Sequence, residues 1–295
     1  MEAIRKSDNG QAVLWVLGGT ALFSIVFASG KFAEGVASPL QVMLLRYISG
    51  FILLSVLAFR LRGKHITYRS KKAKTHFLRA ILGCYGGVAI VYASANMPIL
   101  DATAISLLYV IFIIALGIIF LQERISKLHW GAIIISSIGA CVVMFSRGAF
   151  QNFNLSYLWP AAIAMAGALL IAAEAILIRT LSQAESAMTV LLYVNFFGIC
   201  LVVLPASSTW ISTEVIDNLP FLLLGPVAIS AQYCIIRGYR IAKVSVLGPI
   251  DYTWLGFAGI IGFIFFDEIP TSGVILGTAL IAIGGIALTF LKTEE

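Results

Sequence analysis

Four ionisable side chains, Arg46, Asp101, Glu174 and Asp251, fall inside long apolar stretches. A charge in such a place is costly and marks a pathway or a buried pair. Glu174 is the sharpest case, because "ALLIAAEAILI" (168–178) surrounds it with aliphatic residues. A carboxylate there needs a cation beside it or a proton on it. Glu174 is therefore a candidate proton carrier, with a structural pair to an arginine such as Arg237 as the plainer reading. Asp251 has aromatic company in Tyr252 and Trp254. Aromatic rings offer stacking faces for a planar or aliphatic solute and Asp251 a partner for an ammonium group; the plainer reading is an acid at a helix start. Arg46 and Asp101 fall nearer the ends of their runs. Glu123 and Glu268 look chemical at first, because each punctuates the same cadence of apolar run, acid, apolar run and glycines ("IIFLQERISKLHWGAIIISSIGA", 118–140; "FIFFDEIPTSGVILGTALIAIGGIA", 263–287). Both sit where a run ends, so capping or loop contacts suit them better than substrate binding.

The elements that carry these residues must lie in a bilayer. Of the 295 residues, 60% are hydrophobic and only 12% charged, against about 25% charged in a soluble chain. Ten runs approach the roughly 20 apolar residues that span hydrocarbon: 11–30, 39–59, 76–95, 99–121, 129–146, 157–178, 187–205, 219–237, 245–266 and 272–291. They are continuous rather than alternating, which excludes a lipid-embedded barrel and predicts an all-α integral membrane protein of ten transmembrane helices. The first run has a short polar lead and no small-residue cleavage pattern, so it is read as a retained helix.

The net charge of +6 reads as orientation rather than nucleic-acid binding. With the N-terminus in the cytoplasm, the inner side receives Arg5, Lys6, eight basic residues from Arg60 to Arg79, Arg124, Lys127, Arg179, Arg237, Arg240, Lys243 and Lys292. The outer side receives Lys31 and Arg147, and Arg46 is left within the second run. Both termini are thus expected in the cytoplasm. Cys84, Cys141, Cys200 and Cys234 are scattered singly, and His65, His76 and His129 lie in or beside polar loops. Neither set suggests a disulfide, a metal or a cofactor.

The two acidic cadences align. With Glu123 laid over Glu268, Phe120 falls on Phe265, Tyr109 on Trp254 and Ser106 on Asp251. One extra residue in the second copy brings Gly131 to Gly277 and Gly139 to Gly285; residues 30–39 likewise align with 178–187, placing Lys31 on Arg179. Each copy holds five spans, and an odd number makes the second copy enter from the opposite face. The chain reads as two inverted five-helix repeats, 1–147 and 148–295, a construction of secondary transporters that puts the substrate near the midplane. Ser106 and Tyr109, like Asp251 and Trp254, are spaced to share a helix face, so the four are expected to line one central cavity with Tyr252. Tyr92, Asn195 and Gln232 are polar positions that either supply hydrogen bonds to a solute or hold helices together. The glycines of both cadences, and Gly256, Gly259 and Gly262, are read as close helix packing.

These stretches resemble the ten-helix permeases of the drug/metabolite transporter superfamily, built from two EamA-type repeats. "FASGKFAEGVASPLQVMLLRY" (27–47) is similar to the family's opening, with Lys31 and Arg46 at characteristic places. Residues 97–143 and 242–288 are similar to the cores of its two repeats. The resemblance covers nearly the whole chain and implies a metabolite transporter. Family members export amino acids and related metabolites, or take up vitamins or nucleotide-like compounds of the riboflavin or S-adenosylmethionine type. One departure is the absence of the proline many members have inside the fourth span, which here reads "LLYVIFII" (107–114).

The expectation is a secondary active transporter of a small polar or amphipathic metabolite, an amino acid or related compound, working by alternating access. The alternative is a vitamin or nucleotide-like uptake permease. No G-x-x-x-x-G-K-[ST] loop is present to drive an ATP pump. Dispersed histidines argue against a membrane enzyme, and no filter segment suggests a channel. The expected partners are a small-molecule substrate, membrane lipid and, through Glu174, protons, with no nucleic acid. The chain is expected as a monomer or homodimer in the inner membrane of a bacterium.

Overall fold

The computed structural model describes residues 2–33, 35–60, 70–151, 154–267 and 269–291. Among them the secondary structure is helical: α1 (Glu2–Phe32), α2 (Pro39–Arg60), α3 (Ala73–Asn96), α4 (Ile99–Ser106), α5 (Tyr109–Leu121), α6 (Lys127–Ser146), α7 (Leu158–Ala184), α8 (Ala187–Ser208), α9 (Val215–Ile241), α10 (Val244–Leu247), α11 (Thr253–Phe266) and α12 (Ser272–Phe290). Nine stretches among the described residues are long and apolar enough to cross a membrane, and α1 adds the shorter apolar stretch Gly10–Val26. Several helices outrun their apolar runs. α3 begins before His76 and α7 continues through Arg179 to Ala184, because polar flanking residues keep helical hydrogen bonds beyond the hydrocarbon.

Two spans are interrupted. The fourth is α4 and α5, parted by a turn at Leu107 and Leu108; the ninth is α10 and α11, joined by a 3-10 turn over Gly248–Tyr252. Pro249 accounts for the second interruption, since it lacks an N–H and fixes its own φ. The first has no proline, so the family departure noted above does not make that span continuous. The two breaks meet: α5 packs on the 3-10 turn, and a side chain at Gly248 would lie 3.3 Å from Ile113 Cγ2. Both spans also end alike, on Gln122 (φ 54°) and Asp267 (φ 53°) in the left-handed region that closes many helices.

The packing maps onto itself when the first five spans are exchanged with the last five. α3 packs on α7 as α9 packs on α1; α5 packs on α7 as α11 packs on α1; α3 packs on α8 as α9 packs on α2. α6 pairs with α12 and α2 with α8, each span with its own counterpart. The α6–α12 seam is built on glycine. A Cβ on Gly139 would stand 2.6 Å from Gly277 O, and one on Gly277 2.6 Å from Gly139 O. Gly131, expected to allow similar close packing, has nothing within 4 Å of its Cβ position and is exposed; it lies off the face on which Ala132 and Ser136 meet Gly284.

Loop contacts sort into two ends. At one, Ser70 and His76 meet Glu185, Glu123 meets Val244 and Ser245, and Gln183 donates to Arg240 O. At the other, Gln41 meets Ile211 and Asn218, and Asp101 accepts from Phe150 N. This is the alternation that ten successive crossings require. The first end carries Arg60, Lys71, Lys72, Arg124, Lys127 and Lys243 and is the basic end below.

Candidate functional site

Asp251 lies in the 3-10 turn that interrupts the ninth span and is half-buried. Thr20 of α1 donates to its Oδ1 at 3.2 Å, sharing the hydroxyl proton with Val16 O at 2.9 Å. Tyr109 of α5 and Tyr239 of α9 lie close to the same carboxyl. Groups from three helices thus surround one carboxylate. Its two oxygens offer about four acceptor positions, of which Thr20 takes one. Tyr109 and Asp251 were expected to meet. Thr20 and Tyr239 were not, since a lone threonine in mid-run ("LGGTALFS") and a tyrosine just past a run ("RGYRIA") carry no signal until α1 and α9 are packed together.

The other expected members divide. Trp254 is half-buried and packs on the cluster of Leu107, Val110 and Tyr252. Tyr252 is 3% exposed and its hydroxyl bonds Ser137 of α6, which makes it a wall rather than a stacking face. Ser106 donates to Thr103 O at 2.7 Å and finishes α4. Gln232 is half-buried two turns before Tyr239, on the same face of α9. Asn195 donates to Leu191 O at 2.8 Å, and its Oδ1 sits 2.8 Å from where a Gly50 Cβ would be; it serves the α2–α8 contact. Tyr92 is exposed toward the far end of α3.

Glu174 forms the second polar centre. Its partner is Arg79, not Arg237: Arg79 Nε donates to Glu174 Oε1 at 3.3 Å. Arg237 instead lies 5.5 Å above the Trp15 ring and 6.0 Å from that of Tyr233. Arg79 had been counted among the basic loop residues, yet it is 0% exposed within α3. Sequence placed it at a span edge; only the packing of α3 on α7 turns it inward onto a carboxylate. Gly83, one turn on, makes the room, since a Cβ there would stand 2.6 Å from Glu174 Oε2. Arg46 of α2 lies within electrostatic reach of Glu174 and 4.8 Å above the Tyr47 ring. Tyr239 lies within electrostatic reach of both Asp251 and Glu174.

Other expected polar residues are structural. Glu123, 7% exposed, accepts from Val244 N at 3.1 Å and from Ser245 N and Oγ at 2.9 and 2.5 Å, which caps the start of α10. Its counterpart Glu268 lies outside the described residues. His76, read as a loop histidine, is 0% exposed and bonds Glu185 Oε2 at 2.8 Å. Ser70 bonds the other oxygen at 2.6 Å. Burial works to raise the Glu185 carboxyl, but these two hydrogen bonds and the nearby Lys72 prevail and hold it below the usual carboxylate range. His129, also 1% exposed, bonds Ser126 Oγ at 2.7 Å. Among the described residues no group of three His, Cys, Asp or Glu side chains is placed to hold a metal ion. A cavity of about 540 Å³ opens between α5 and α6, but exposed Ile111, Ile118, Trp130, Ile134 and Phe145 line it. Such walls suit lipid, not a polar solute.

Residues 10–145 match the EamA-like transporter family. The chain is 24% identical to the riboflavin transporter of Vibrio cholerae, over 97% of this chain and 95% of that protein. It is 23% identical to the pseudopaline exporter CntI of Pseudomonas aeruginosa, over 92% and 93%. To the S-adenosylmethionine uptake transporter of Rickettsia bellii it is 21% identical, over 80% and 78%. A solved crystal structure shares the fold, with a TM-score of 0.79 at 20% identity over 94% of this chain and 98% of that one. The relatives agree on transport and differ in solute; none is an enzyme by name. This chain is a multi-pass membrane transporter whose residues 10–145 match the EamA-like transporter family.

Proposed function

We propose that the protein is a secondary active transporter of a small amphipathic metabolite bearing an ammonium group, an amino acid or a close relative. The observation that carries this reading is Asp251, a carboxylate inside a membrane span, at a helix break, bonded by Thr20 of α1 and with Tyr109 of α5 and Tyr239 of α9 close by. Those helices belong to both five-span halves, and discontinuous helices at a repeat interface are where secondary transporters bind. The halves, 1–147 and 148–295, run in opposite senses and rock about this point, opening it to each side in turn. The basic end faces the cytoplasm of a bacterial cell whose inner membrane holds the protein, in keeping with the excess of Lys and Arg there. Glu174 couples transport to protons, since it is an acid set among aliphatic residues inside a span and lies within electrostatic reach of Tyr239, close to Asp251.

Proteoliposome flux tests the reading. Saturable counterflow of amino acids is expected, with accumulation driven by a pH gradient. Glu174→Gln removes the gradient-driven accumulation and spares exchange. Ohmic conductance without saturation refutes the carrier mechanism. Saturable uptake of riboflavin or S-adenosylmethionine, with no amino acid transported, refutes the substrate class and favours the solutes of the Vibrio and Rickettsia relatives.

A further inference from the structure

The pairing of Arg79 with Glu174 is poor for a purely structural ion pair. A guanidinium locked to a carboxylate donates through two parallel N–H groups at about 2.7–2.9 Å. Here one Nε contact is made at 3.3 Å. Nη1 and Nη2 of Arg79 are buried with no hydrogen-bond partner among the described residues. Leaving such donors unused costs free energy unless another state of the protein uses them. The charges are also unequal. Two guanidinium groups, Arg79 and Arg46, face the single carboxylate of Glu174. The uncharged groups around them are Cys84 of α3, Tyr47 of α2 and Tyr239 of α9.

Exposure orders the pair. Arg79 is 0% exposed and Glu174 18%, so the carboxyl is the member of the pair that open space reaches. Glu174 therefore occupies the place an external anion would take. Resting on the substrate reading above, we propose that Arg79 is an anion-binding residue of the transport site, and that the carboxylate of the solute displaces Glu174 from it. The displaced Glu174 takes one proton from hydronium onto a carboxylate oxygen, one O–H bond breaking in the hydronium, which becomes water, as one forms on the carboxyl. The charge within the membrane changes only by the charge the solute brings, less the carboxylate charge lost on protonation. A zwitterion is then gripped at both ends, its ammonium by Asp251 and its carboxylate by Arg79, and carries a proton with it.

The test uses the full chain in lipid nanodiscs, with each natural L-amino acid compared against its own α-amide, which keeps the ammonium and side chain and lacks the carboxylate. Binding is read by calorimetry in buffers of different ionisation enthalpy, which also counts protons. The expected result is an acid that binds at least about tenfold tighter than its amide and takes up about one proton per molecule bound. Glu174→Gln keeps the preference for the acid and abolishes the proton uptake; Arg79→Gln makes acid and amide equal. Should Arg79→Gln fail to fold, the proton count of Glu174→Gln decides. Equal binding of acid and amide by the native chain overturns the role of Arg79 and leaves the Asp251 reading standing. Acid preference without proton uptake overturns the displacement. Binding of neither overturns both.

Discussion

Replacing Asp251 by Asn changes no shape and removes one charge, so its effects on folding and on binding separate. Thr20 bonds the carboxylate, and the Tyr109 and Tyr239 side chains lie close to it. A hydrogen bond to a charged acceptor contributes about 1.5–3 kcal/mol and one to a neutral acceptor about 0.5–1.5, so about 1 kcal/mol is lost at Thr20 and no more than about 1 at each tyrosine. Against this, the variant avoids the several kcal/mol of desolvation that a charge in a protein interior costs. The two largely cancel, and stability is expected within about 1 kcal/mol of the native protein. Binding has no such compensation. A solute ammonium that leaves water to meet a neutral amide loses the ion pair and keeps its own desolvation cost, about 3 kcal/mol, or on the order of 100-fold in Kd. Thermal unfolding in detergent and calorimetric titration of an ammonium-bearing solute measure the two quantities on one preparation. Unchanged affinity removes Asp251 from the site. Loss of folded protein, with Tyr109→Phe and Tyr239→Phe equally damaging, makes the cluster a structural knot and refutes the reasoning.

Three further outcomes follow from other parts of the bundle. Gly139→Ala is expected to destabilise by about 1–3 kcal/mol through overpacking against Gly277 and Ile281, whereas Gly131→Ala, with nothing to meet, is neutral or slightly stabilising; equal melting temperatures for the two would contradict the seam. Glu123→Ala strips three hydrogen bonds from the start of α10 and is expected to cost about 3–5 kcal/mol, visible as faster hydrogen exchange at Val244 and Ser245. Glu185→Gln is expected to be less stable than the native protein at neutral pH, by a margin that shrinks on acidification. The Glu185 carboxyl is held low in the folded state, so its contribution is complete above the usual carboxylate range and is lost as pH falls through the lowered value. A margin that grows in acid would reverse that assignment.

Much of the architecture was legible because a bilayer leaves a chain few choices. Long apolar runs must be helices, and the acid at the end of the fourth span, expected to make capping or loop contacts, bonds the start of α10. The break in the fourth span was not legible: Leu107 and Leu108 are ordinary helix formers, and the turn arises where α5 crosses Gly248. Arg79 was misplaced for a related reason. Six residues from a basic loop, it matched the inner-side charge bias, and nothing local reports that Glu174, far along the chain, waits on the facing helix. His76 was missed in the same way, its partner Glu185 lying beyond two intervening spans.

The sequence by itself determined the solvent, the helical crossings and the identity of the costly residues, because each follows from polarity and period along the chain. The tertiary structure alone decided which costly residues stand together. Asp251 drew Thr20 and Tyr239, and Glu174 drew Arg79 rather than Arg237, because a buried charge is satisfied by whatever donor the helix packing brings within hydrogen-bonding distance, and that distance is a property of the bundle.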